Sequence, residues 1–147
     1  MWKAKKLDRH IMEFRPQQPN HSFDNLFWTE LRWRLVNTLN PSTHPTFLII
    51  NVSGFDDLEM NLIRAIVFSD ELWNHPSLGM AFFTSENPHP YHRSWLKMLS
   101  VAQERTQITK LQTTQSVNEA QECVDVVLRY LSDRTTTTTQ TLRITHV

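Results

Sequence analysis

A chain of 147 residues can bury one continuous core, so a single domain over residues 1–133 is expected. Lysine plus arginine and aspartate plus glutamate balance at 15 each, which leaves no long-range field to gather nucleic acid or an anionic membrane. One cysteine, Cys123, excludes an intrachain disulfide framework, two glycines are too few for a phosphate-cradling loop, and no apolar run reaches a membrane span.

With no charged-then-apolar leader, a cytoplasmic location is the expectation. Trp2 to Phe14 reads as an antiparallel hairpin turning at Asp8-Arg9, with Trp2, Ala4, Leu7, Ile11, Met12 and Phe14 facing inward. Pro16 and Pro19 break the backbone, and the segment from Asn20 to Asp24 offers side chains that cap a helix. Phe23, Phe27, Leu31, Leu35 and Leu39, with Leu26 and Trp33 beside them, then draw an apolar stripe along a helix of about Phe23 to Leu39. Trp28, Arg32 and Arg34 fall on its other faces.

After the turn from Asn40 to Pro45 comes the stretch TFLIINVSGFDDLEMNL, Thr46 to Leu62. Between Phe47 and Val52 only Asn51 is polar, which suits a strand buried on both faces of a parallel sheet. A turn at Ser53-Gly54 and an acidic segment, Asp56-Asp57-Leu58-Glu59, lead into a helix of about Leu58 to Trp73. Gly79 to Phe83 reads as the next buried strand, and about His89 or Tyr91 to Gln103 as the next helix, packing through Trp95, Leu96, Leu99 and Ala102. Thr106 to Thr114 alternates as a strand nearer the sheet edge. Ser116 and Glu119 form a capping box that opens a last helix, with Ala120, Cys123, Val124, Val127, Leu128 and Leu131 on its apolar face. Residues 134–147, with a five-threonine run at Thr135 to Thr139, are expected to be mobile in preference to an edge strand built from Leu142, Ile144 and Val147. The order implies an α/β domain: a hairpin followed by alternating helices and strands, with a mainly parallel sheet of about five strands and about four helices.

FLIINVSGFDDLEMN resembles the strand and turn of the STAS domain of anti-sigma factor antagonists. ITKLQTTQSVNEAQECV resembles the last strand and helix start of the same group, and the likeness runs over about Trp2 to Leu131, nearest the uncharacterised bacterial branch. What the resemblance implies is a non-enzymatic regulatory domain without a cofactor, binding a protein partner: a regulatory kinase, or a second copy of itself. The family's Asp-Ser-Ser/Thr-Gly tetrad falls on Glu59-Met60-Asn61-Leu62. Asn61 thus stands where the phospho-acceptor would be, and asparagine cannot take a phosphoryl group.

The candidate interaction surface is the loop and helix start carrying Ser53, Asp56, Asp57, Glu59 and Asn61. A second class of function, a small-ligand pocket or enzyme at the carboxyl ends of the strands, would draw on Ser85, Asn87, His89 and His92. No cysteine or clear carboxylate joins these histidines or nearby His75, so no metal site is expected. The acidic cluster is better read as complementing a helix N-terminus than as a magnesium site. Ser53 lacks the flanking glycines of a nucleophile elbow, and Cys123 on an apolar stripe is expected buried and inert. The tryptophans read as core, except that any found exposed beside Arg32 or Arg34 would mark an interface.

Overall fold

The computed structural model describes the backbone of residues 1–18 and 21–145, and side chains through residue 132. β1 (Trp2–Asp8) and β2 (Ile11–Pro16) form the antiparallel hairpin that the N-terminal pattern predicts. From β2 on, every pairing in this sheet is parallel: β2 with β4 (Thr46–Asn51), β4 with β6 (Leu78–Thr84), and β6 with β7 (Leu111–Thr114). The strand order is β1-β2-β4-β6-β7, and a separate small sheet pairs β3 (Ser22–Phe23) with β5 (Asp57–Leu58). Among the described residues the helices are α1 (Asn25–Leu39), α2 (Leu62–Val67), α3 (Asp70–Trp73), α4 (Pro90–Thr106) and α5 (Val117–Thr145). This is the α/β class expected, with a mixed, mainly parallel sheet of five strands.

Because the chain steps from β2 to β4 to β6 to β7 always in one direction, right-handed crossovers place α1 to α4 on the same face. Their apolar sides meet Leu48, Ile50, Ala81, Phe83 and Leu111 in the larger core. The opposite face has α5, whose Ala120 and Val124 close over Phe47, Ile49 and Phe82. β4 therefore feeds both cores by simple alternation, as its unbroken apolar run requires. Gly79 lies against one of these residues: a Cβ there would sit 2.8 Å from Cζ of Phe47, so the ring occupies the space a side chain would need.

Several expected elements shift. On α1 the buried line is Trp28, Leu31, Leu35, Val36 and Leu39, whereas Leu26 and Trp33 face solvent. The stripe is turned because the Trp28 indole reaches Ser69 Oγ at 3.2 Å, an anchor on α3's N-cap that spacing alone does not reveal. Phe23 precedes the helix in β3, and Asp24, not a residue upstream, is the cap, accepting from Phe27 N at 3.0 Å. The capping role suggested for Asn20 and the break at Pro19 lie outside the described residues.

The single helix expected from Leu58 to Trp73 is instead β5, α2 and α3. Ser69 returns its hydroxyl to the Ala65 carbonyl at 2.8 Å while receiving Trp28, which interrupts the helical ladder after Phe68. Asp56 and Asp57 consequently lie just before and within β5, a turn short of α2, and α2 has no acidic residue in its first turn, so the helix-dipole explanation of the cluster does not hold. α4 runs three residues past Gln103 to Thr106 and ends on Gln107 in the left-handed conformation, φ 57°. β7 accordingly starts only at Leu111. In the hairpin Ala4 is exposed and Glu13 buried. The backbone of α5 continues as helix through the five-threonine run. Leu142 and Ile144 therefore lie on helix and not on the edge strand weighed as the alternative, while Val147 and the side chains of residues 133–147 lie outside the described residues.

Candidate functional site

The loop between β4 and α2, Val52 to Asn61, emerges at the carboxyl ends of the parallel strands, where successive crossovers leave open backbone for a site. Its apolar residues Val52, Phe55 and Leu58 point down, and Met60 faces solvent. Phe55 stacks on Phe23 with ring centroids 4.9 Å apart and meets Trp2 and Phe27 edge-on, and Leu58 is fully buried. Backbone amides add a register: Asp56 N donates to the His21 carbonyl and Glu59 N to that of Phe23.

At its start the loop is held by side chains from the strands. Asn51 ends β4 with its side-chain oxygen Oδ1 accepting from Ser53 N at 3.0 Å and from Ser53 Oγ at 2.6 Å. Its amide donates the other way, to Glu13 Oε2 at 3.1 Å. Glu13, on β2, is only 1% exposed, and its second oxygen pairs with Arg15 at 2.6 Å. A carboxylate buried this deeply needs both partners to offset its lost hydration. Across the loop, Ser53 Oγ accepts from Glu86 N and the Ser53 carbonyl from the Asn87 amide.

At its far end the loop is held by α4, which His89 caps by accepting from Tyr91 N. Successive ring donors on this helix each take one loop carbonyl. Tyr91 Oη donates to Leu58 at 2.5 Å, His92 Nε2 to Phe55 at 2.9 Å, and Trp95 Nε1 to Glu59 at 2.9 Å. The bond to Phe55 fixes the His92 tautomer, so Nδ1 accepts from Ser85 Oγ at 2.8 Å. Ser85 Oγ in turn accepts from Asn87 N. Burial holds the His92 ring below the usual imidazole range, with the backbone bond to Phe55 opposing that shift and nearby His89 adding to it. The Tyr91 hydroxyl moves the other way, raised by desolvation and by Asp57 and Glu59 beside it.

No protein-family model matches this sequence, and a search of the curated proteins finds no match. Among solved structures, the chain is similar to the anti-sigma factor antagonist SpoIIAA in its unphosphorylated form, at TM-score 0.52 and 14% identity, covering 85% of this chain and 96% of that one.

The chain has the STAS fold.

Within it, the two groups of residues singled out from sequence converge on one place. Ser53 belongs to the inner framework, and Ser85, Asn87 and His92 to the clasp around it, while Asp56, Asp57 and Asn61 are exposed and Glu59 is half-buried. His89 is a helix cap. His92 has both ring nitrogens committed, and neither it nor His89 lines the cleft that Ser85 and Asn87 border beside the loop, between α4 and the start of α5. Among the described residues no group of three or more His, Cys, Asp or Glu gathers as metal ligands, and no helix is long and apolar enough to cross a membrane. Cys123 is half-buried, its thiol raised by burial and by Glu119 and Glu122. Sequence reasoning missed Glu13, Phe55, Tyr91 and Trp95 as parts of this site. Glu13 alone left a trace, as a charge set between Met12 and Phe14 in β2.

Proposed function

We propose that the loop from Ser53 to Asn61 is a preorganised recognition surface for a protein partner, and that the domain acts by binding rather than catalysis. The observation that carries this reading is the contrast within the loop: the carbonyls of Phe55, Leu58 and Glu59 and the side chains of Phe55 and Leu58 are fixed from below, while Asp56, Asp57, Met60 and Asn61 face solvent. A loop already ordered loses little conformational freedom on binding, so more of its contact energy survives as affinity. The exposed acids favour a partner with a basic patch, and Met60 supplies an adaptable apolar contact. The likeness to an anti-sigma factor antagonist supports a regulatory role, with a kinase or a second copy as the partner classes to examine. Asn61 at the N-cap of α2 has no hydroxyl, so binding here proceeds without a phosphoryl switch at that position.

Affinity capture from the host lysate with the wild type and an Asp57→Lys/Met60→Glu variant tests the reading, with sedimentation to detect self-association. A partner or dimer lost in the variant, with melting unchanged, is expected. Retention of the same partner by the variant, or neither partner nor dimer with the wild type, overturns it.

A further inference from the structure

The cleft beside the loop has a volume of about 510 Å³ and lies at the carboxyl ends of β6 and β7, walled by α4 and the first turn of α5. Clefts of this size and position suit small ligands. Arg93 and Lys97, one helical turn apart on α4, supply two cations to one wall, and Glu86 and Glu119 supply two carboxylates from the β6–α4 segment and from α5. Leu96 and Pro88 add an apolar surface. Among the described residues the one ion pair is Arg15 with Glu13, so these four opposite charges share a concavity without closing on each other. Glu119 is kept in place by accepting from Gln115 N, and its own amide donates to Ser116 Oγ.

We infer that this cleft binds a small zwitterion of amino-acid size, its carboxylate received by Arg93 and Lys97 and its ammonium by Glu86 and Glu119, with an apolar side chain on Leu96 and Pro88. A net anion or a net cation would leave one pair of cleft charges facing a like charge, whereas a zwitterion complements both. The inference is independent of what the loop binds: its residues lie outside the exposed loop surface, and its test needs no protein partner.

The test is an amide NMR titration of the full chain with L-leucine, isocaproate, which lacks the ammonium, and isoamylamine, which lacks the carboxylate. Saturable shifts at Arg93 to Ser100 and Thr113 to Glu119 are expected with L-leucine, with binding of either analogue about tenfold weaker, the scale of one lost charge-assisted contact. Arg93→Ala/Lys97→Ala, at exposed positions, should abolish the L-leucine shifts with melting unchanged. Three results overturn the inference: no saturable shifts, isocaproate binding as well as L-leucine, or shifts that persist in the double variant.

Discussion

The loop between β4 and α2 is held at two ends by different chemistry. At Ser53 the support is a relay of side chains rooted in a buried charge, Arg15 to Glu13 to Asn51 to Ser53. From Phe55 to Glu59 the support is three neutral ring donors of α4, each on a backbone carbonyl. The first fixes where the chain leaves the strand, and the second fixes the path of the segment that exposes Asp56, Asp57 and Met60. A charged relay is sensitive to loss of any one partner, because the remaining buried charge is left uncompensated. Separate ring donors fail one at a time.

The largest effect is expected from the α4 end. His92→Phe leaves the Phe55 carbonyl without its donor and removes the acceptor of the Ser85 hydroxyl, costing about 2–4 kcal/mol for buried polar groups. At about 2–4 °C per kcal/mol for a domain of this size, calorimetry resolves that readily. Amide exchange should rise around the Phe55 turn and stay unchanged at Ser53. Equal exchange at both ends would show that the two supports form one unit. The same residue sets a pH dependence. Its folded pKa lies below the unfolded value near 6.5, so the unfolded chain binds the proton first. Stability is full above about pH 6.5 and declines as pH falls from there through the folded value. In His92→Phe that slope should vanish, and a persisting slope over the same window would assign it elsewhere.

A smaller effect is expected at the strand end. Asn51→Leu keeps the approximate shape but strips Glu13 of one partner and Ser53 of its acceptor, a loss of about 1–3 kcal/mol. Here exchange should quicken at Ser53 and Glu86, with the segment from Phe55 to Glu59 protected as before. Urea denaturation with exchange mass spectrometry reads both quantities. A wild-type midpoint would remove the relay from the account of this loop.

These two ends also differ in how much the sequence discloses. β4 is legible because a six-residue run with one polar member has few other uses. At the capping box Ser116 Oγ accepts from Glu119 N as the spacing implies, while the Glu119 carboxylate reaches back one residue further, to Gln115 N. Even the polar position inside the run, Asn51, is visible, though its partner Glu13 is 38 residues away on a strand whose alternation gives no reason to bury a charge. The bonds from α4 span 33 to 37 residues, and each ends on a backbone carbonyl, which carries no residue signature. Tyr91, His92 and Trp95 look like ordinary members of a helix for that reason. The turned stripe of α1 has a related cause, since periodicity places a face only to within a neighbouring line of residues. Trp28 and Trp33 exchange roles because of one bond to Ser69. Trp33 ends 68% exposed, between Arg32 and Arg34 in sequence.

The finest discrimination comes from Tyr91→Phe. The ring stays and only the hydroxyl donor to Leu58 is lost, so the cost should be about 0.5–1.5 kcal/mol, the net worth of one hydrogen bond. If ring donors act separately, protection should fall at the β3–β5 pairing that contains Leu58, with Phe55 and Glu59 still held by His92 and Trp95. Amide exchange resolves the positions and thermal melting the sum. Loss of protection along the whole loop would mean that α4 and the loop dock all at once. The comparison between the ends would then become one between a cooperative lid and a local relay, and partner affinity should fall in Tyr91→Phe even though none of the exposed residues has changed.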